Sequence, residues 1–406
     1  MARKRKKTAL CLNEILTDDL LVEILHRIPC KSAFQCKSVC KKWRKLISKT
    51  YFTRCFARRH RSDHRKKRRE LGEEGVVVKR SFNHLFFIPS EYKHQFSFDF
   101  LPFFSSKQKN PTTFIAGSSN NLFLCTADQA AYYVCNPMTN HWIALPPPPP
   151  LLESVHIYPG LVVFGSSMSR TTFKVIRVLV PVTGEKKLSE FEVDVFCSIT
   201  GKWGRLKTGP SPKPFIWSVR RSPAICYRGR LHWIATSENQ MVVYDVRKNS
   251  FCFIIEPPKN STKHSVVPAL SGAFYVAQFS KRSSKLKLWQ LDYPDNEQAE
   301  PKWRFKGKFM LHEYVRHGRR WLTELFIKRV LTIHRHDRNI IYLGANSEVW
   351  YLAGKFRCHR YVVSCNLRTK TLDLVYESQN DLFHRADYAY SIGFRMWPPP
   401  ISPARP

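Results

Sequence analysis

The sequence predicts a small α-helical module followed by an all-β domain assembled from repeated four-stranded units. Three observations support this. Residues 16 to 52, LTDDLLVEILHRIPCKSAFQCKSVCKKWRKLISKTYF, carry apolar residues at helical spacing. From about residue 75 the period shortens to that of alternating strands separated by turn residues. Across this longer region a strand, a turn, an apolar residue and a second strand recur at intervals of roughly 45 to 65 residues.

In chain order, residues 1–11 form a basic tail with the run Arg3, Lys4, Arg5, Lys6 and Lys7. A helical module spans 12–57. Thr17 is placed to cap its first helix, with Asp18 and Asp19 against the positive end of the helix dipole. Leu21, Ile24, Leu25 and Ile28 follow at i, i+3, i+4 and i+7, while Leu16 and Leu20 widen the apolar arc to one side. Pro29 stops the helix. Ser32 and Gln35 form a capping box for a second helix, along which Cys36, Val39, Cys40, Trp43, Leu46 and Ile47 make a narrower stripe. The arc on the first helix exceeds what a module of this size buries by itself, which implies a partner.

Two other readings of this module fit less well. The cysteines are spaced C-x5-C-x3-C, wider than the two to four residues that zinc sites favour, so they read as core thiols. A DNA-reading helix needs polar residues at its N-terminus, and that end here is SAFQCKSV.

The stretch resembles an F-box. The residues that carry the resemblance are Leu16, Asp18, Asp19, Leu20, Leu21, Glu23, Ile24, Leu25, Arg27, Ile28 and Pro29, then Lys31, Ser32, Val39, Cys40, Lys41, Trp43, Arg44, Leu46, Ile47 and Phe52. Thr17 stands where that family most often has Pro, at a position expected to touch the partner. The resemblance implies docking on a Skp1-like adaptor and, through it, on a cullin–RING ubiquitin ligase. It assigns Leu16, Thr17, Leu20, Leu21, Ile24, Leu25, Ile28 and Pro29 to the adaptor face. Leu16, Leu20, Leu21 and Ile24 are the best candidates for its exposed side. It assigns Val39, Cys40, Trp43, Leu46 and Ile47 to the module's own core.

A basic linker spans 58–75 and holds Arg65, Lys66, Lys67, Arg68 and Arg69. Two separated basic runs fit nuclear import signals as well as plain solvated tails, so the expected location is nucleus or cytoplasm.

The β domain spans 76–397. Aligning its turns exposes the repeat: Asn136 is followed by Trp142, Ser198 by Trp203, Asp245 by Phe251 and Asn366 by Leu372. A longer version runs from Asp292 to Trp303. An upstream strand begins at Leu122 and again at Leu231, each 14 residues before its turn starter. Units of this size read as propeller blades at about 112–150, 155–210, 222–258, 266–310 and 328–378. The flanks 76–92 and 387–397 can pair into a sixth and close the ring. Six blades are favoured, with seven as the alternative and a pair of β-sandwiches as the rival fold. The blocks YVCNPMTNHWIALPPPPP, RGRLHWIA, MVVYDVRKNSFCFIIEPP and VVSCNLRTKTLDLVYES resemble the F-box-associated, kelch-like domain of plant F-box proteins. A Pro-rich tail, 398–406, follows. The other Pro run, Pro146 to Pro150, falls at a blade end and reads as a brace.

The two resemblances together imply the substrate-recognition subunit of an SCF-type (Skp1–cullin–F-box) ligase, a non-catalytic adaptor whose propeller captures a client protein. No phosphate loop, GxSxG elbow or HExxH is present, and no cofactor or metal is implied. His334 to Arg338, HRHDR, reads as a surface loop. No apolar run approaches the roughly 20 residues that span a bilayer, and twelve cysteines without a CxxC fit a reducing compartment. The formal charge of +36 fits an acidic or phosphorylated client. The alternative reading is a basic nucleic-acid-binding or scaffold protein outside any ligase.

Overall fold

In the computed structural model the described residues are 16–28, 36–49, 51–52, 74–79, 84–89, 95–97, 100–102, 113–119, 122–127, 130–136, 141–151, 154–167, 170–182, 191–208, 224–234, 241–255, 265–270, 273–280, 283–294, 301–317, 326–334, 337–349, 357–378 and 389–393. Both basic runs, Pro29, the Ser32–Gln35 capping box and the Pro398–Pro400 run lie outside them. The chain divides into two compact units, the main portion of the first being Met1–Gly72 and the second beginning at Glu73.

The first unit contains α1 (Asp18–Arg27), a 3-10 turn (Cys36–Ser38) and α2 (Lys41–Ser48). Its core is small: Leu25, Ile47 and Phe52 are buried, with Val22, Ile28, Cys36 and Trp43 packed around them.

In the second unit, strand pairing gives five sheets. One of them is two four-stranded units joined edge to edge, so six units are present among the described residues. The first holds β1 (Glu74–Lys79), β2 (His84–Pro89), β3 (Gln95–Ser97) and the last strand, β25 (Ala389–Gly393). The expected pairing of the two flanks is present: β25 runs antiparallel to β1, with Val78 opposite Ala389. The second unit is β4 (Thr113–Ser119), β5 (Leu122–Ala127), β6 (Ala131–Asn136) and β7 (His141–Ala144). The third is β8 (Val155–Ser167), β9 (Arg170–Pro181), β10 (Glu192–Cys197) and β11 (Lys202–Lys207). The fourth is β12 (Ala224–Tyr227), β13 (Arg230–Ile234), β14 (Met241–Asp245) and β15 (Ser250–Ile255). The fifth is β16 (Ser265–Leu270), β17 (Phe274–Ser280), β18 (Lys285–Asp292) and β19 (Lys302–Met310). The sixth is β21 (Phe326–Ile333), β22 (Ile340–Val349), β23 (Arg357–Asn366) and β24 (Thr371–Ser378). The short β20 (Val315–His317) adds in parallel to the outer edge of β24. These bounds fall within a few residues of the blades expected from the turns.

The turns show why the repeat is visible in the sequence. Asp245 Oδ1 accepts from the backbone N–H of Arg247 at 2.9 Å and of Lys248 at 3.2 Å. Asn366 Oδ1 accepts in the same way from Arg368 at 3.0 Å and Thr369 at 3.2 Å. Each turn closes on a left-handed residue, Asn249 (φ 50°), Lys370 (φ 55°) or, in the third unit, Gly201 (φ 69°). A two-residue turn at Arg228 (φ 52°) and Gly229 (φ 75°) joins β12 to β13, the positive pair that tight hairpins need.

The cores lie between neighbouring blades. In β14 all five residues are buried because alternate side chains serve opposite neighbours. Val242 and Tyr244 pack with Val178 and Val193 of the third unit, while Met241 and Val243 pack with Phe274 and Val276 of the fifth. Polar groups are built into the same seams. His232 Nδ1 donates to the Ile225 carbonyl at 3.2 Å, which leaves Nε2 to accept from the Tyr293 hydroxyl of the neighbouring blade. Burial lowers the pKa of His232 to about 4, keeping the ring neutral. In the third unit Asp194 binds Arg205 (2.8 Å) and Arg177 (3.1 Å), and the Arg177 guanidinium lies 5.5 Å from the Tyr132 ring centroid in the second. The Pro run braces the same seam. The Trp203 indole N–H donates to the Pro146 carbonyl at 2.8 Å.

One feature departs from simple blade stacking. The inner strands β4 and β12 pair in parallel, with Ala224 opposite Gly117 and Ile225 opposite Ser118. This joins the second and fourth units into one eight-stranded sheet. Gly160 of β8 permits the crowding, since a Cβ there would stand 2.8 Å from a Leu231 methyl.

Candidate functional site

The first helix starts as its sequence dictates. Thr17 is the N-cap, in extended backbone, and its side chain accepts from the Leu20 N–H at 3.4 Å. Asp18 and Asp19 occupy the first turn, and Arg27 reaches back one turn to Glu23 at 2.8 Å. The helix therefore keeps its cap where Pro is usual in the resembling family.

The apolar arc of α1 divides into two faces. Leu21 and Leu25 lie one helical turn apart and are both buried. Leu20 and Ile24, each one residue earlier, point away from the core and are 53% and 46% exposed. Leu16 is half-buried and Thr17 exposed. The exposed side is thus Leu16, Thr17, Leu20 and Ile24. Leu21 and Leu25 do not belong to it: both are buried, Leu25 in the small core with Ile47 and Phe52. Ile28 is partly buried against the same core, and Pro29 lies outside the described residues.

The second stripe also requires a correction. Cys40 is not inside a helix. It has extended backbone (φ −161°, ψ 169°) and caps α2, its Sγ accepting from the Trp43 N–H at 3.4 Å. The stripe therefore breaks after the 3-10 turn, and Val39 swings outward to 59% exposure instead of filling the core. Leu46 and Ile47 are buried and Trp43 half-buried. Burial raises the pKa of the Cys36 thiol, as for a packing residue.

His26 is a core residue that the helical pattern alone does not single out. Its Nε2 lies 3.2 Å from the Phe52 carbonyl and its ring stacks on Phe52 at 4.5 Å. The signal for it is its position directly after Leu25, near the inward side of α1. Lys42 and Asp18 form an ion pair at 3.3 Å between the starts of the two helices, exposed enough to add little stability.

In the β unit, His334 Nδ1 accepts from the Asp337 N–H at 3.0 Å, so this portion of HRHDR is a hydrogen-bonded turn. No group of three or more His, Cys, Asp or Glu able to hold a metal occurs among the described residues. No helix among them is long and apolar enough to cross a membrane.

Comparison with known proteins adds the family context. Residues 14–55 match the F-box domain, and residues 94–392 match the family described as F-box protein At3g26010-like, beta-propeller. The chain is 26% identical to F-box protein At3g26010 of Arabidopsis thaliana, over 92% of this chain and 82% of that one. It is 26% identical to F-box protein At5g49610, over 57% of this chain and 62% of that one. It is 27% identical to the putative F-box/kelch-repeat protein At1g15680, over 68% of each chain. Both of these are also from Arabidopsis thaliana.

Proposed function

Because the chain belongs to the F-box proteins with an At3g26010-like beta-propeller, an architecture of substrate-receptor type, we propose that it is the client-recognition subunit of an SCF-type ubiquitin ligase. In this reading the F-box docks on a Skp1-like adaptor, and the propeller holds a client protein. The chain makes and breaks no bonds. It raises the effective concentration of client lysines near the ubiquitin-loaded enzyme.

The observation that carries this reading is the split arc of α1. Leu21 and Leu25 are already buried, so the module's stability gives no reason for Leu20 and Ile24 to be apolar. Two exposed aliphatic residues one turn apart, beside a capped helix start, form a helix-face anchor for a partner. Both are already about half buried, so completing their burial would contribute about 1.5–3 kcal/mol together, half of the 1.5–3 expected for each fully exposed side chain.

Co-purification of the full chain with Skp1 tests the docking face. A Leu20→Asp, Ile24→Asp double variant should lose the adaptor while its thermal unfolding stays within about 0.5 kcal/mol of the parent, as for surface changes. Undiminished capture by that variant would remove Leu20 and Ile24 from the interface.

A further inference from the structure

The five prolines that follow β7, Pro146 to Pro150, form a rod by their own chemistry. Each ring fixes φ at about −65°, and each of Leu145 to Pro149 precedes a proline, which holds its ψ extended. Such a segment is a polyproline II helix, with three residues per turn and a rise of about 3.1 Å per residue. Its start is anchored: Leu145 is buried, and its N–H donates to the Tyr132 carbonyl at 2.9 Å. No residue from Pro146 to Pro150 has a backbone N–H, so the rod offers carbonyls alone.

One side of the rod is held by the third blade. The Trp203 indole N–H donates to the Pro146 carbonyl, and an Arg205 N–H reaches the Pro149 carbonyl at 3.5 Å. Pro146 and Pro149 are one turn of the rod apart, while Trp203 and Arg205 are alternate residues on one side of β11. Arg205 is itself fixed by Asp194 at 2.8 Å. Exposure follows the same period of three. Pro146 and Pro149 are half-buried, whereas Pro147 and Pro150 are exposed. The remaining edge begins buried at Leu145, is half-buried at Pro148 and ends at Leu151, 39% exposed. Stiffening of a connection accounts for prolines. It does not account for an exposed leucine that continues the apolar outer side past the last of them.

We propose that the outer side of this rod, Pro147, Pro150 and Leu151, is a ligand for a proline-reading domain, one whose aromatic-lined groove takes a polyproline II helix. Such grooves use apolar edges at every third residue, open carbonyls and a backbone with little entropy left to lose. The rod has all three. Its inner side already shows the recognition chemistry, an indole N–H on a proline carbonyl. Held at Leu145, Pro146 and Pro149, the rod is also pre-organised, which lowers the ordering cost of binding. A partner that adds a β-strand is unsuited to this side, because strand addition needs backbone N–H groups and the rod has none. A charged partner finds no charged side chain from Leu145 to Leu151.

The full chain is titrated into a labelled SH3 domain and, separately, a labelled WW domain, and at least one should bind. A Pro147→Ala, Pro150→Ala double variant should weaken that binding about tenfold or more. Its melting temperature should match the parent's, since both rings face water. Leu151→Ser leaves all five prolines in place and should weaken binding about threefold or more, so the proposal stays testable if the double variant loosens the rod. The chain carries a second run, Pro398 to Pro400, so a Pro398→Ala, Pro399→Ala, Pro400→Ala triple variant is the control and should change binding less than about twofold. Failure of both domains to bind the parent would overturn the proposal. So would full binding by both the double variant and Leu151→Ser, or a loss confined to the triple variant. Light scattering reads one further outcome. Self-association of the parent that the double variant abolishes would assign this side to a second copy of the chain and overturn the proposal as well.

Discussion

The first helix and the fourteenth strand use apolar residues in opposite ways. In α1 two leucines are buried while Leu20 and Ile24, their neighbours in sequence, stay half in water. In β14 every residue from Met241 to Asp245 is buried, because a neighbouring blade covers each face. The helical unit has a core of a few side chains and an apolar surplus. The β unit has no such surplus at its seams. The described blades also expose apolar side chains, among them Ile199 and Phe326, but the pair on the helix lies one turn apart on a single face.

The largest test of this contrast compares burial directly. Trp233 is buried and its indole N–H reaches the Pro159 carbonyl at 3.4 Å. Trp233→Ala should cost about 3–5 kcal/mol in urea unfolding, whereas Leu20→Ala should stay within about 0.5 kcal/mol. Similar losses from the two would end the distinction. A smaller effect comes from the seam at His232. Its pKa falls from the usual 6.5 to about 4 in the folded chain. The neutral ring is favoured by folding, so its contribution is complete above about pH 6.5 and is lost as pH falls toward 4. The loss should reach about 3 kcal/mol, and the urea midpoint of His232→Gln should be flatter over that window. An unchanged pH slope in the variant would mean that other groups carry it. The smallest effect has the opposite sign. Lys308→Glu places a carboxylate opposite Lys287 and should stabilise the fifth blade by about 0.2–1 kcal/mol. A lower melting temperature would show that the two lysines are not opposed in solution.

What can be read from sequence follows from how local each cause is. The blades are legible because Asp245 and Asn366 build their turns within three residues, and the strands on either side alternate. The cap at Thr17 is legible for the same reason. The division of the α1 arc is not, since Leu20 and Leu21 look alike in sequence and only the fold shows that one is exposed and the other buried. Val39 is misplaced by helical counting that runs through Cys40, and nothing in the sequence marks Cys40 as extended. The pairing of β4 with β12 depends on Gly117, Gly160 and Ala224 meeting from three different blades.

The pairing of β1 with β25 has a consequence for synthesis. Val78 meets Ala389, a residue made roughly 300 positions later. At about 5–20 residues per second, the ribosome takes roughly 15–60 s to supply the second strand after the first. For that interval the edge of β1 that will receive β25 stays open, with an unpaired row of backbone donors and acceptors. The other five blades can assemble in the order they emerge, but the first sheet is completed last. A chain released before Ala389 would have five finished blades and one open edge, a form distinguishable from the finished product by its incomplete sheet.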